Sequence, residues 1–149
     1  MRLLLLRHVP IVLVLVLVVL IVGCSASPEL GQVSGTVRAG GQPLANVLVT
    51  FIPEADGPAA GIRSMGTTDD QGRYQLKTER QAAGALVGRH KVIVEDLAIY
   101  QAPRAADGTV LTLPSIRFAA AYADPLRSAL AHEVQPGEQT IDLDLGAAQ

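Results

Sequence analysis

The sequence predicts an all-β fold, an antiparallel Greek-key sandwich of about seven short strands that follows an N-terminal signal segment. Three observations carry that expectation. Apolar residues alternate over short runs, at Val33, Gly35 and Val37 and again at Ile141, Leu143 and Leu145. Turn residues separate the runs, among them Gly40-Gly41-Gln42-Pro43, Asp69 to Gly72 and Pro136-Gly137. Beyond residue 30, no stretch argues for a long helix.

The first element is not part of that fold. Met1 to Arg7 holds Arg2 and Arg7, a positive n-region, and Val9 to Val22 is almost wholly Val, Leu and Ile, the h-region of a secretory signal. The uninterrupted apolar run from Ile11 to Val22 is well short of the ~20 residues that a spanning helix needs. Extending it backward takes in Arg7, His8 and Pro10. Leu20-Ile21-Val22-Gly23-Cys24-Ser25 resembles the bacterial lipobox. That resemblance implies cleavage between Gly23 and Cys24 and a diacylglyceryl thioether on the Cys24 thiol, because the peptidase requires a small residue before its bond. The expected division is a signal peptide over 1–23, a short tether over 24–30 and one sandwich domain over 31–149. The domain then lies outside the cytoplasm, attached to the membrane through lipid.

Within the domain, Val33 to Val37 and Val47 to Phe51 read as two strands of a hairpin about the Gly-Gly-Gln-Pro turn. Pro53 to Gly66 reads as a loop with Ile62 tucked back. Asp69-Asp70-Gln71-Gly72 reads as a tight turn, with Tyr74 and Leu76 on one face of the strand after it. Thr78 to Gly88 reads as a loop. Val92, Ile93 and Val94 are apolar on both faces, which suits a central strand. Gln101 to Gly108 is irregular, and Val110 to Phe118 is expected to hold a strand with Leu111 and Leu113 on one face. Ala119 to Leu130 permits a helical turn, with a second at Asp124-Pro125. Thr140 to Leu145 alternates strictly, with Asp142 and Asp144 outward.

Composition narrows the function classes. The chain has 149 residues, 3% aromatics and no Trp, so its core is mainly Val, Leu, Ile and Ala. Without Arg2 and Arg7 the mature chain keeps 10 basic against 14 acidic residues, a net charge of 10 − 14 = −4. That balance argues against nucleic acid and against a polybasic lipid surface. Cys24 is the sole cysteine, which excludes an intrachain disulfide.

The landmarks Val33-Ser34-Gly35-Thr36-Val37, Pro43-Leu44-Ala45-Asn46-Val47, Thr68-Asp69 with Gly72-Arg73-Tyr74, and Gly88 to Val92 resemble the carboxypeptidase regulatory-like, transthyretin-like domain. Tyr122-Ala123-Asp124, Ser128-Ala129-Leu130, Glu133-Val134 and Ile141 to Leu145 bring the chain nearer to the small transthyretin-like lipoproteins abundant in planctomycete bacteria. Phe118-Ala119 departs from the Ile-Pro pair usual there. The resemblance implies a prealbumin-like sandwich without enzyme activity, acting as a folding aid, spacer or binding module.

The inventory of chemistry agrees with that expectation. A calcium loop counted from Asp69 would need Glu at its twelfth position, where Arg80 stands. His90 and His132 do not make the two-apart pair of intradiol dioxygenases, and the chain lacks the C-terminal Tyr-Arg-Gly-Ser of hydroxyisourate hydrolases. Ser128 and His132 are close in sequence, but there is no Gly-x-Ser-x-Gly elbow. His90 is expected in solvent at the start of a strand, and Tyr74 in the core with its hydroxyl at the edge. No catalytic, metal or cofactor residues are therefore assigned. The leading expectation is a non-enzymatic envelope lipoprotein that binds a protein or a glycan, or spaces something from the membrane. The alternatives are an enzyme with a hydrolase or metal site in the loops around Gly57 to Met65 or Tyr100 to Asp107, and an assembly subunit pairing through strand edges.

Overall fold

The computed structural model describes residues 28–54, 61–112 and 115–146. Among these residues, eleven short strands form two sheets around one core. The strands are β1 (Leu30–Ala39), β2 (Gln42–Pro43), β3 (Val47–Pro53), β4 (Ser64–Thr67), β5 (Arg73–Gln75), β6 (Lys77–Thr78), β7 (Ala85–Leu86), β8 (Gly88–Asp96), β9 (Ala131–Val134), β10 (Gly137–Thr140) and β11 (Leu143–Leu145). One sheet runs β6-β4-β3-β8-β9, all antiparallel. In the other, β1 is central, with β2, β5 and β7 antiparallel to it and β10 and β11 parallel to it.

The all-β expectation holds, and several details change. The expected hairpin is not one. β1 pairs after the Gly40-Gly41 turn only with the two residues of β2, and β3 belongs to the opposite sheet. Val33 and Val37 therefore meet Val47, Val49 and Phe51 face to face across the core instead of side by side. Positive φ at Asn46 turns the chain between the sheets. The parallel partners of β1 also break the expected all-antiparallel pattern. The segment read as a loop up to Gly66 contains β4, held by its pairing with β3, and that from Thr78 to Gly88 contains β7. Both were hidden by small or polar residues. Leu111 is exposed, and among the described residues Val110 pairs in an isolated bridge to Arg104 and starts no strand. Leu113 and Pro114 lie outside the described residues.

Other readings stand as expected. Asp69 Oδ1 accepts from the Gln71 and Arg73 amides, and Gly72 has φ 74°, so the Asp-x-x-Gly run is a turn. Tyr74 and Leu76 are buried together, β8 is central, and Ile141, Leu143 and Leu145 point inward.

The parallel seam has one irregular step. Ser34 pairs with Thr140 and Val37 with Leu143, but between them the Ile141 carbonyl does not serve the ladder. It accepts instead from the Tyr74 hydroxyl at 2.6 Å in the buried interior. The Thr36 amide bonds the Asp142 carboxylate at 2.7 Å, and the Thr36 hydroxyl donates to the same oxygen at 2.8 Å. A Cβ at position 35 would overlap the Ile141 carbonyl, so this step requires Gly35. Asp142, expected as a solvated charge, is thus a surrogate backbone acceptor. Its carboxyl lies below the ordinary carboxylate range, chiefly because of the Thr36 bonds.

Tyr74→Phe leaves the Ile141 carbonyl buried without a donor and is expected to lower stability by about 1–3 kcal/mol. Urea unfolding checks this: the midpoint should fall with an unchanged slope, and an unaltered midpoint would refute the assignment.

Candidate functional site

Gly23 and Cys24, the expected cleavage and lipidation residues, lie outside the described residues. The first described strand begins at Leu30, six positions after Cys24 (30 − 24), so a tether of at most ~20 Å separates them. The other candidate groups hold the fold together. Ser128 Oγ donates to the Val92 carbonyl at 2.6 Å and accepts from the Leu130 amide, so it is not directed at His132. Asp69 is engaged by Arg73, with Nε 2.9 Å from its second oxygen. In the loop at Tyr100 to Asp107, Asp107 bonds the Thr109 amide and Arg104 bonds the Gly108 carbonyl. Gly57 to Ala60 of the other candidate loop lie outside the described residues. Among the described residues, no three His, Cys, Asp or Glu side chains converge to hold a metal, and no helix is long and apolar enough to cross a membrane.

His90 departs most from expectation: it is 1% exposed, because β8 turns it inward with Val92 and Val94. Its Nδ1 donates to the Gly88 carbonyl at 3.0 Å, and its Nε2 is buried without a partner. Directly opposite on β9 stands His132, and Phe51 packs near both rings, with centroids 5.7 and 6.4 Å away. Burial pushes both imidazoles below their ordinary value; for His90, the Gly88 bond and the charge of Glu54 act the other way. An open recess of about 400 Å³ beside His90 is walled by Glu29, Glu54 and Arg89 at the end of the sandwich where β1 begins. A larger one, about 780 Å³, lies on the outer face of the β1 sheet. Its Ser34, Thr36, Gln75 and Asp142 offer hydroxyls, an amide and a carboxylate, and the Thr36 hydroxyl there is bonded to the Asp142 carboxylate.

The opposite end of the sandwich is built by the crossover from β8 to β9, residues 97–130. A 3-10 turn, Leu97–Gln101, starts it, capped by Asp96 Oδ1 on the Ala98 amide at 2.9 Å. The same carboxylate grips Arg117 with both oxygens: Nε donates to Oδ2 at 2.7 Å and Nη2 to Oδ1. Arg117 Nη1 also donates to the Ala45 carbonyl at 2.8 Å, tying the crossover to the turn before β3. Phe118 is buried against Tyr122, whose hydroxyl accepts from the Gly146 amide at 3.2 Å. Between these anchors the crossover turns its apolar side chains outward. All five exposed large hydrophobics among the described residues, Ile99, Tyr100, Leu111, Ile116 and Leu126, lie on it. No role was assigned to Asp96 or Arg117 from the sequence. The available signal was an arginine directly before Phe118 in a segment poor in charge.

No protein-family model matches the chain, and no curated protein matches it. Among solved structures, the chain is similar to the dioxygenase domain of a dioxygenase carbohydrate-binding protein fusion from the cellulolytic bacterium Streptomyces sp. SirexAA-E. The identity is 21%, the coverage 85% of this chain and 86% of that one, and the TM-score 0.40.

Two outcomes follow from this geometry. Arg117→Ala strands a largely buried Asp96 carboxylate and is expected to cost about 3 kcal/mol, with Arg117→Lys intermediate because it lacks the fork. Proteolysis of the native protein should then cut within 97–117 first; resistance equal to the wild type would refute the clamp. Because the folded pKa values of His90 and His132 are depressed, the unfolded chain takes up protons first on acidification. Stability is therefore full above the ordinary imidazole pKa of about 6.5 and is lost as pH falls through it. The urea midpoint should drop between pH 8 and pH 5, and His90→Gln should flatten that drop.

Proposed function

We propose that this chain is a non-enzymatic lipoprotein of the cell envelope whose sandwich presents a binding surface away from the membrane. One observation carries the reading: Leu30, where β1 begins, and the 3-10 turn with the exposed Ile99 and Tyr100 lie at opposite ends of the fold. β1 begins next to the tether and spans ten residues, roughly 33 Å. Its far end, at Ala39 and Leu145, lies with the Val47–Asp96 pairing from which the crossover departs. A lipid on Cys24 would hold the His90 end toward the membrane and the crossover away from it. The structural engagement of Ser128, Asp69, Asp142 and Tyr74 supports a role without catalysis.

The prealbumin-like, Greek-key description of the sandwich belongs to the same proposal. It is supported by the way successive strands cross between sheets, β1 to β3 and β4 to β5, where simple hairpins would stay in one sheet. Pairing through strand edges is the weaker reading. The outer strands β9, β10 and β11 have only three or four residues each and expose Glu133, Glu138 and Asp144, charges that oppose edge-to-edge association.

Metabolic labelling with a radioactive fatty acid tests the anchor. The full chain should incorporate label and sediment with membranes, whereas Cys24→Ala should incorporate none and retain its signal segment. Unlabelled wild-type protein, or a mature N-terminus other than Cys24, would overturn the reading.

A further inference from the structure

We infer that the polar trough on the outer face of the β1 sheet binds a neutral glycan, a saccharide chain lying along β1. The inference rests on the reading of this chain as a binding module, and not on its lipid anchor or on the crossover.

The trough follows from register. Gln32, Ser34 and Thr36 alternate with the core residues Val33 and Val37 and so face outward. Gln75 on β5 and Thr140 on β10 pair with Ser34 from its two sides, and Arg73 pairs with Thr36. Directly paired residues share a face, so a floor of short hydroxyl side chains runs between Arg73 and Gln75 on one side and Thr140 and Asp142 on the other. The flanking strands stand two strand spacings apart, about 10 Å. The recess of about 780 Å³ over Ser34 and Thr36 meets a smaller one of about 220 Å³, which shares Ser34 and Gln75 and continues past Gln32 between Lys77 and Glu138. From Gln32 to Thr36 the floor is about 13 Å long.

The fold fixes the polar groups that face a ligand there. Asp142 receives both Thr36 bonds on Oδ1, which leaves Oδ2 as a fixed acceptor. Arg73 is held through Nε on Asp69, which leaves its two terminal nitrogens as donors. Among the described residues, no bond of the fold engages the Ser34 hydroxyl, the Gln75 amide or the Thr140 hydroxyl, all of which line the recess. Donors and acceptors that are already immobile lose little conformational entropy when a ligand binds.

The same lining selects the ligand. β1 is paired on both sides, so the trough offers side chains and no free backbone edge to which a peptide strand could add. Its large apolar lining residues, Val33, Tyr74 and Leu76, are 3%, 2% and 2% exposed, which disfavours an apolar ligand. The charges along it cancel, Arg38, Arg73 and Lys77 against Asp69, Glu138 and Asp142 (3 − 3 = 0), so neither a polyanion nor a polycation is drawn in. Among the described residues, no carboxylates converge here to hold a cation. A neutral ligand rich in hydroxyls, each of which donates and accepts, matches this mixture. With no exposed ring to stack on, a handful of neutral hydrogen bonds gives a Kd on the order of 1 mM.

The test is saturation-transfer difference NMR on the full-length chain, held in phosphocholine-detergent micelles so that no detergent sugar competes. The probes are maltohexaose, cellohexaose, mannohexaose and chitohexaose, with polygalacturonate as the anionic control. At least one neutral hexasaccharide should show transfer, and polygalacturonate none. Gln75→Ala with Thr140→Ala should weaken binding about tenfold, and either change alone about threefold, at an unchanged urea midpoint. Ile116→Ala, on the crossover, should leave binding as it is. No transfer to any neutral saccharide, transfer to polygalacturonate instead, undiminished affinity in the double variant, or an equal loss in Ile116→Ala would each overturn the inference. Fatty-acid labelling of the same chain reads the anchor separately. Labelled protein that binds no saccharide loses the glycan site alone, and unlabelled protein that binds one loses the anchor alone.

Discussion

A single carbonyl organises the first sheet. At Ile141 the last segment of the chain runs parallel to β1, and its carbonyl leaves the ladder to meet the Tyr74 hydroxyl inside the core. Three consequences follow from the cost of burying an unpaired backbone group. The vacated Thr36 amide needs an acceptor, and the Asp142 carboxylate provides it. The residue above the carbonyl must lack a Cβ, hence Gly35. The ring that delivers the hydroxyl must be buried, and Tyr74 is 2% exposed, its own ionisation pushed far upward by that burial and by the charge of Asp142. Five residues from three distant parts of the chain are thereby fixed in register, and the segment from Ile141 to Leu145 is locked onto β1.

The second sheet solves a different problem. Its interior strand β8 must connect to the edge strand β9 through 34 intervening residues (97–130) that contain no named strand among the described residues. A connection that long is ordinarily unfavourable to order. Asp96 and Arg117 order it by one bidentate contact, which also reaches the turn before β3. Phe118, Tyr122 and Ser128 then anchor the return. The apolar residues left outside are those between anchors, so the structure and the presentation of the patch have one cause. The two ends of the sandwich differ accordingly: one has a buried His90 beside a recess walled by Glu29, Glu54 and Arg89, the other exposed apolar side chains.

Much of the fold was legible in the sequence because burial in a strand has a period of two, and that period is a local property. The alternation at Ile141, Leu143 and Leu145, the turn at Asp69 to Gly72 and the two-sided apolar run at Val92 to Val94 all read correctly for that reason. Strands β4 and β7 did not, since Ser64 to Thr67 and Ala85-Leu86 carry little pattern and owe their conformation to neighbours. His90 misled for the same cause. Its polarity suggested solvent, but its place in the alternation with Val92 and Val94 turned it inward. The candidate surface was the least legible part, because exposed Ile and Leu in a connection look like ordinary core residues until the fold fails to cover them.

By itself, then, the chain determined its β character, most of its turns, the inward face of each patterned strand, and an apolar N-terminal run followed by a lone cysteine. These depend on residue type, local spacing and backbone preference. Tertiary structure alone decided that β1 and β3 face each other across the core, that the last strand runs parallel to the first, and that Asp96 meets Arg117 across 21 positions. Those outcomes depend on which distant groups satisfy one another's hydrogen bonds and share a core, and no local pattern encodes such a pairing.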